Sequence, residues 1–120
     1  MNFTFSETYQ SYVSEGPIQF RIPKHLFNEQ FIEQAEVIAQ LYEQKLNELA
    51  TFCLADAHFS RCYPGQTVQS IIEQLGNPII SIDEAGGVLT YTQHILDMDH
   101  IIDIEFIGAL ESFFSVFIDG

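Results

Sequence analysis

The clearest alternation of apolar and polar positions lies near the end of the chain. From His100 to Ile107, Ile102, Ile104 and Phe106 share one parity, while Asp103 and Glu105 share the other. A period of two in β-branched and aromatic residues predicts a strand with one dry and one wet face. Gly108-Ala109-Leu110 interrupts the pattern as a short turn does. A second strand follows over Ser112 to Ile118, with Phe114, Val116 and Ile118 on one face and Phe113 and Phe117 on the other. This stretch, the most apolar of the chain, predicts an antiparallel pair at the middle of the core. It does not read as a membrane span: Asp103, Glu105 and Glu111 would lie in hydrocarbon, at roughly 2.5–3.5 kcal/mol for a central Asp.

A different period governs residues 28–57. Phe31, Ala35, Ile38, Tyr42, Leu46, Leu49 and Cys53 recur at spacings of three and four, with no Gly or Pro among them. That spacing predicts one long amphipathic helix. Asn28 suits its N-cap, and Glu29 in the first turn complements the helix dipole. Glu33, Glu36, Gln40, Glu43, Gln44 and Asn47 fill the opposite, solvated side. Thr67 caps a shorter helix, Val68 to Leu75, which Gly76 and Pro78 close. The segment His58 to Tyr63 carries no clear pattern.

Short β-prone runs surround the helices. Residues 2–5 and 8–13 alternate irregularly, Ile18 to Ile22 alternates cleanly, and Pro23 ends it. Residues 78–82 and Val88 to Ile95 predict two further strands, separated by a loop at Asp83-Glu84-Ala85-Gly86-Gly87. A tight turn at Met98-Asp99 sets Tyr91 opposite Phe106, Ile95 opposite Ile102, Thr92 opposite Glu105 and His94 opposite Asp103. A slip of one residue would mix polar with apolar on both faces. The next hairpin sets Phe114 opposite Ile104 and Phe113 opposite Glu105. The expected fold is α+β, a single domain over residues 1–120. An antiparallel β-meander carries the long helix on one face, with a short second helix.

Charge changes this picture more than composition does. Seventeen acids face four basic residues, a net charge of −13. Residues 1–61 hold eight acids and all four cations, net −4; residues 62–120 hold nine acids and no Lys or Arg, net −9. Such a surface repels nucleic acid and anionic membrane and attracts basic proteins, besides keeping the chain soluble. The N-terminal stretch MNFTFSETYQ has neither the basic nor the apolar region of a signal peptide. Two cysteines make no disulfide framework. A reduced, cytoplasmic protein is expected.

Catalytic and metal motifs find little support. Asp97, Asp99, His100 and Asp103 resemble ligands, but a calcium loop beginning at Asp97 needs Gly where Ile102 stands and Glu where Gly108 stands. They read better as turn carboxylates. Cys53 falls on the apolar helix face, where a buried thiol is the usual outcome. Cys53 and Cys62 with His58, His94 and His100 lack zinc or nucleophile spacing. Gly86-Gly87 is followed by neither Lys nor a helix, so it is no phosphate loop. The expectation is a non-enzymatic protein without cofactor or metal.

The candidate site is therefore the outer sheet face: Thr90, Thr92, His94, Asp103, Glu105, Phe113, Ser115 and Phe117. His94, Asp103, Glu105, Phe113 and Phe117 are the expected partner contacts, because two phenylalanines among carboxylates exceed what solubility requires. Three outcomes stay open for this face. Residues 3–22 fold over it as a second core layer, it self-associates as a homodimer, or it meets a foreign partner.

A small, acidic α+β chain with a helix, the step Leu75-Gly76-Asn77-Pro78-Ile79 and a closing β-meander resembles bacterial immunity proteins. These are the proteins that neutralise contact-dependent or polymorphic growth-inhibition toxins. The resemblance covers residues 18–120 in architecture and carries no specific residues over. It implies a cytoplasmic protein that binds and blocks one cognate toxin domain, often a basic nuclease. The rival expectation is a small cytosolic adaptor or homo-oligomer whose charge only keeps it soluble.

Overall fold

Asn28 starts the long helix as its position suggests. In the computed structural model, which describes residues 1–120, its side chain accepts a hydrogen bond from Phe31 N at 3.1 Å. Helix α1 then runs over Glu29–Ala55 and buries Ala35, Ile38, Tyr42, Leu49, Ala50 and Cys53. Asp56 leaves the helical conformation and caps a second helix that the apolar pattern had not revealed. Helix α2 spans Ala57–Cys62, and Asp56 Oδ1 accepts from Phe59 N at 2.9 Å. Helix α3 covers Val68–Leu75 as expected. Its Thr67 and Ser70 satisfy each other's backbone N–H reciprocally, a capping box. Gly76 ends it at φ +71°, a backbone conformation that glycine adopts without a Cβ clash.

Seven strands form one sheet in chain order. They are β1 (Thr4–Ser6), β2 (Ser11–Ser14), β3 (Gln19–Pro23), β4 (Ile79–Ile82), β5 (Gly86–Tyr91), β6 (Ile101–Ile107) and β7 (Ser112–Asp119). All pairs are antiparallel except β3–β4, where Phe20 faces Ile80 in a parallel ladder. A parallel pair needs a long crossover, and the three helices together supply it. The N-terminal strands therefore do not fold over the sheet. They extend it in its own plane; Tyr9 covers Arg21 on the outer side of β3, and the outer side of β4 to β7 stays free of them.

The core lies between the helices and the inner sheet face. Ile22, Ile80, Ile82, Leu89, Tyr91, Ile102, Ile104 and Phe106 meet the α1 stripe, with Phe59 of α2 and Ile71 and Leu75 of α3. The Tyr42 and Tyr91 hydroxyls share a hydrogen bond inside it, so two polar groups are buried as a satisfied pair.

Two registers differ from those the alternation predicts, and each has a local cause. In β5–β6, Tyr91 faces Ile102 and not Phe106. Gly86 and Gly87 belong to the strand and not to the loop, because Gly87 lies opposite Phe106, whose ring occupies the space of a side chain. A Cβ on Gly87 would stand 2.8 Å from that ring and collide with the Ser81 carbonyl. The slip is an even number of residues, so the faces of the strand are preserved. In β6–β7, Val116 and not Phe114 faces Ile104, and Phe113 faces Phe106. The register shifts between Glu105 and Phe106, leaving Phe114 as the extra residue of a β-bulge. The turn before it holds Leu110 at φ +60°, costly for a non-glycine residue, with the side chain fully buried as the offset.

Phe106 ties these features together: it is 1% exposed, covers Gly87 and faces Phe113. Phe106→Ala should cost about 3–5 kcal/mol through lost burial and the cavity left behind. Urea denaturation checks this, and a loss below about 1 kcal/mol would contradict the packing described.

Candidate partner-binding face

The inner sheet face is sealed by helices, so the outward positions of the same strands decide what the protein presents. Alternation along β4 to β7 aligns them in rows. One row runs Ser81, Val88, Glu105 and Ser115; the next runs Ile79, Thr90, Asp103 and Phe117. Ile101 and Ile107 flank Asp103 and Glu105 on the same face of β6, and both are exposed. Phe117 is half exposed. The result is an aliphatic and aromatic surface with two carboxylates at its centre.

Both carboxylates are held in place across strands. Thr90 Oγ1 donates to Asp103 Oδ1 at 2.6 Å, and Ser115 Oγ donates to Glu105 Oε1 at 2.6 Å. Neither carboxylate has a cationic partner. The one Lys–carboxylate pair is Lys45–Glu48 on α1, and His100 hydrogen-bonds Asp97 in the β5–β6 connection. The negative charge of this face is thus fixed in position by neutral donors and not cancelled.

Three of the five expected contact residues come together here: Asp103, Glu105 and Phe117. The other two do not. Phe113 turns to the core side because the bulge at Phe114 reverses the parity of everything before it, and its ring packs 6.1 Å from that of Phe52 on α1. His94 lies outside the sheet, because β5 ends at Tyr91 and residues 92–100 form a connection. It is buried there: Nε2 donates to His100 O at 2.6 Å, and Nδ1 accepts from Leu96 N at 3.1 Å. That bonding places the imidazole proton on Nε2 and makes His94 a loop-closing residue. Thr92 also falls in this connection. Ile101 and Ile107 share the parity of Asp103 and Glu105, so the same alternation that predicts the strand also carries them to this face.

The candidate chemistry elsewhere resolves into structural roles. Asp97 is the turn carboxylate of the β5–β6 connection. Its Oδ1 accepts from the backbone of Asp99 and His100, and its Oδ2 accepts from Tyr63 Oη at 2.7 Å and pairs with His100 Nδ1 at 2.9 Å. Desolvation pushes its pKa upward, but these four hydrogen bonds outweigh it and hold the carboxyl well below the usual range. Cys53 is buried in the core, and desolvation, reinforced by Asp56, pushes its thiol up to about 12, where it stays protonated. Cys62 is exposed, with its Sγ 3.8 Å from His58 Nε2. Burial likewise pushes Tyr42 up to about 12. No three His, Cys, Asp or Glu side chains converge as a metal set.

An open groove of about 1000 Å³ lies beside β1 and β2, lined by Phe5, Tyr9, Val13, Ile18 and Phe20 with Glu15. Glu15 is its only carboxylate, so it lacks the converging titratable groups of an acid–base site. No helix is long and apolar enough to cross a membrane. No protein family, curated protein or solved structure matches this chain.

Asp97 gives a pH test of the connection. A carboxyl with a depressed folded-state pKa contributes stability above its ordinary value, and that contribution is lost as pH falls toward the folded-state pKa. Asp97→Asn should therefore lower the denaturation midpoint at pH 7. The gap to the parent should narrow as pH falls below about 4, where Asp begins to protonate in the unfolded chain. Thermal unfolding across a pH series measures it; a gap constant from pH 7 to pH 2 would contradict the assignment.

Proposed function

We propose that the chain is an immunity-type binding protein that neutralises a cognate basic toxin domain by direct binding through the outer face of its sheet. One observation carries the reading: a sheet surface combines exposed Ile101, Ile107 and Phe117 with Asp103 and Glu105, and neither carboxylate is paired with a cation. Scattered apolar residues are normal on a surface, but here Ile101 and Ile107 stand at the two ends of β6 and Phe117 beside Asp103, so apolar side chains border the two carboxylates on one sheet face. The central charges select the partner's sign. A basic domain gains encounter rate and discrimination from such a field, whereas a second copy at −13 is repelled. Binding here requires no catalysis and no cofactor, and obstruction of the toxin suffices.

The division of labour among these residues follows from their chemistry. Asp103 and Glu105 act over distance and set the association rate. Phe117, half exposed and opposite Asp103, acts as the desolvated anchor and sets the dissociation rate.

The test uses the product of the gene adjacent to this coding sequence, co-expressed for growth and purified for surface plasmon resonance. The chain should restore growth and bind its neighbour's product. Specific docking proceeds at about 10⁵–10⁷ M⁻¹s⁻¹, and steering raises it to about 10⁸–10⁹ M⁻¹s⁻¹ at low salt. The on-rate should fall steeply as salt rises toward 1 M, where the Debye length is about 3 Å. Asp103→Lys with Glu105→Lys should slow association at least about tenfold, and Phe117→Ala should act mainly on the off-rate. Absence of rescue and of binding would overturn the reading; an on-rate indifferent to salt and to the double reversal would remove the acidic face from it.

A further inference from the structure

The two edges of the sheet are built differently. At one end β1 has three residues, Thr4–Ser6, too few to template a partner strand. At the other end β7 has eight, Ser112–Asp119, and no strand lies beyond it. Natural edges are blunted by shortness, Pro, Lys, inward charges or bulges. β7 contains no Pro and no Lys, and its one bulge, at Phe114, sits near its start. Downstream of the bulge, Ser115–Asp119 pair with Ile101–Glu105 in unbroken register. Over these five residues, about 17 Å of strand at 3.3–3.4 Å each, alternate residues therefore point their backbone N–H and C=O away from β6, toward an edge with no strand beyond it. Phe117 is half exposed beside them, and Ile118 is only partly covered.

The charge around this edge says what can occupy it. Residues 97–120 carry six acids, Asp97, Asp99, Asp103, Glu105, Glu111 and Asp119, and no Lys or Arg. A second copy pairing β7 with β7 would set six acids against six. A basic segment meets the opposite field.

We propose that the free edge of β7 over Ser115–Asp119 receives an extended basic segment of a partner protein as an eighth strand. The register dictates the sequence that fits. Positions on the outer face lie beside Ser115, Phe117 and Asp119 and within reach of Asp103 and Glu105, so they take Lys or Arg. Alternate positions lie beside Val116 and Ile118 and take aliphatic side chains. Main-chain hydrogen bonds supply the attachment and the alternating side chains the selection. This rests on the proposed binding of a basic toxin domain and names how part of that domain is held.

The probe is an eight-residue synthetic peptide alternating Lys and Val, capped at both ends, followed by amide chemical shifts of the isotope-labelled chain. Binding at or below about 1 mM should shift the amides of Ser115–Asp119 first, with the alternating Glu and Val peptide at least tenfold weaker. Two isomers, N-methylated on the lysines or on the valines, separate strand addition from mere charge attraction. One isomer presents its intact edge and binds as the parent; the other loses tenfold or more. Asp119→Lys, at the exposed end of β7, should weaken the Lys peptide and strengthen the Glu peptide without unfolding the chain. Equal binding of both isomers, no binding at 1 mM, or a dimer in sedimentation equilibrium that Asp119→Lys disperses would each overturn the proposal. The adjacent gene's product keeps this distinct from the function. A complex that shifts Ile101, Ile107 and Phe117 but not the outer amides of β7 overturns strand addition and leaves the function. Peptide addition at β7 without rescue by the chain does the reverse.

Discussion

The structure depends on the burial of one face of one sheet. All three helices sit in a single crossover between β3 and β4, the only parallel pair. Helices inserted at one point of a sheet pack on one side of it, so the burial of Leu89, Tyr91, Ile102, Ile104 and Phe106 under α1 leaves the opposite face without a cover of its own. That asymmetry makes the outer face available. Along β4 to β6 it also fixes the positions of its residues, because outward side chains there alternate with ones locked into the core.

Rigidity at the centre of the face comes from short polar bonds across strands. Thr90 and Ser115 hold Asp103 and Glu105 without cancelling their charge. A carboxylate paired with Lys would be fixed equally well but would lose its long-range field. Neutral hydroxyl donors keep both position and field, a pre-ordering that lowers the cost of binding. The β5–β6 connection is held by different means. Asp97 gathers Tyr63, Asp99 and His100, while buried His94 bonds His100 and Leu96.

Most of this architecture was legible in the alternation of apolar residues. The period of three and four over α1, the caps at Asn28 and Thr67, and the parity of Ile102, Ile104 and Phe106 were all local signals. The misplacements came from contacts that no local pattern records. Gly86-Gly87 looks like a turn until Phe106 is laid across Gly87. Phe113 and Phe117 share parity in sequence, and only the bulge at Phe114 separates them. His94 continues a strand-like run, yet its burial in the connection depends on partners six residues away. Helix α2 was signalled only by Asp56, which serves as a cap once α1 is seen to stop at Ala55. The in-plane position of β1 to β3 depends on the parallel β3–β4 pairing, across more than fifty residues of intervening chain.

The central claim is that the uncovered face of this sheet is where a basic partner binds. Methyl-resolved NMR of the Ile-labelled chain, with a soluble paramagnetic agent and with the adjacent gene's product added in turn, tests it directly. Ile101 and Ile107 should be strongly broadened by the agent in the free chain and protected in the complex, while Ile102 and Ile104 stay silent in both. Broadening of all four alike, or protection that falls on the exposed Val37 side of α1 and leaves Ile101 and Ile107 unchanged, would contradict it.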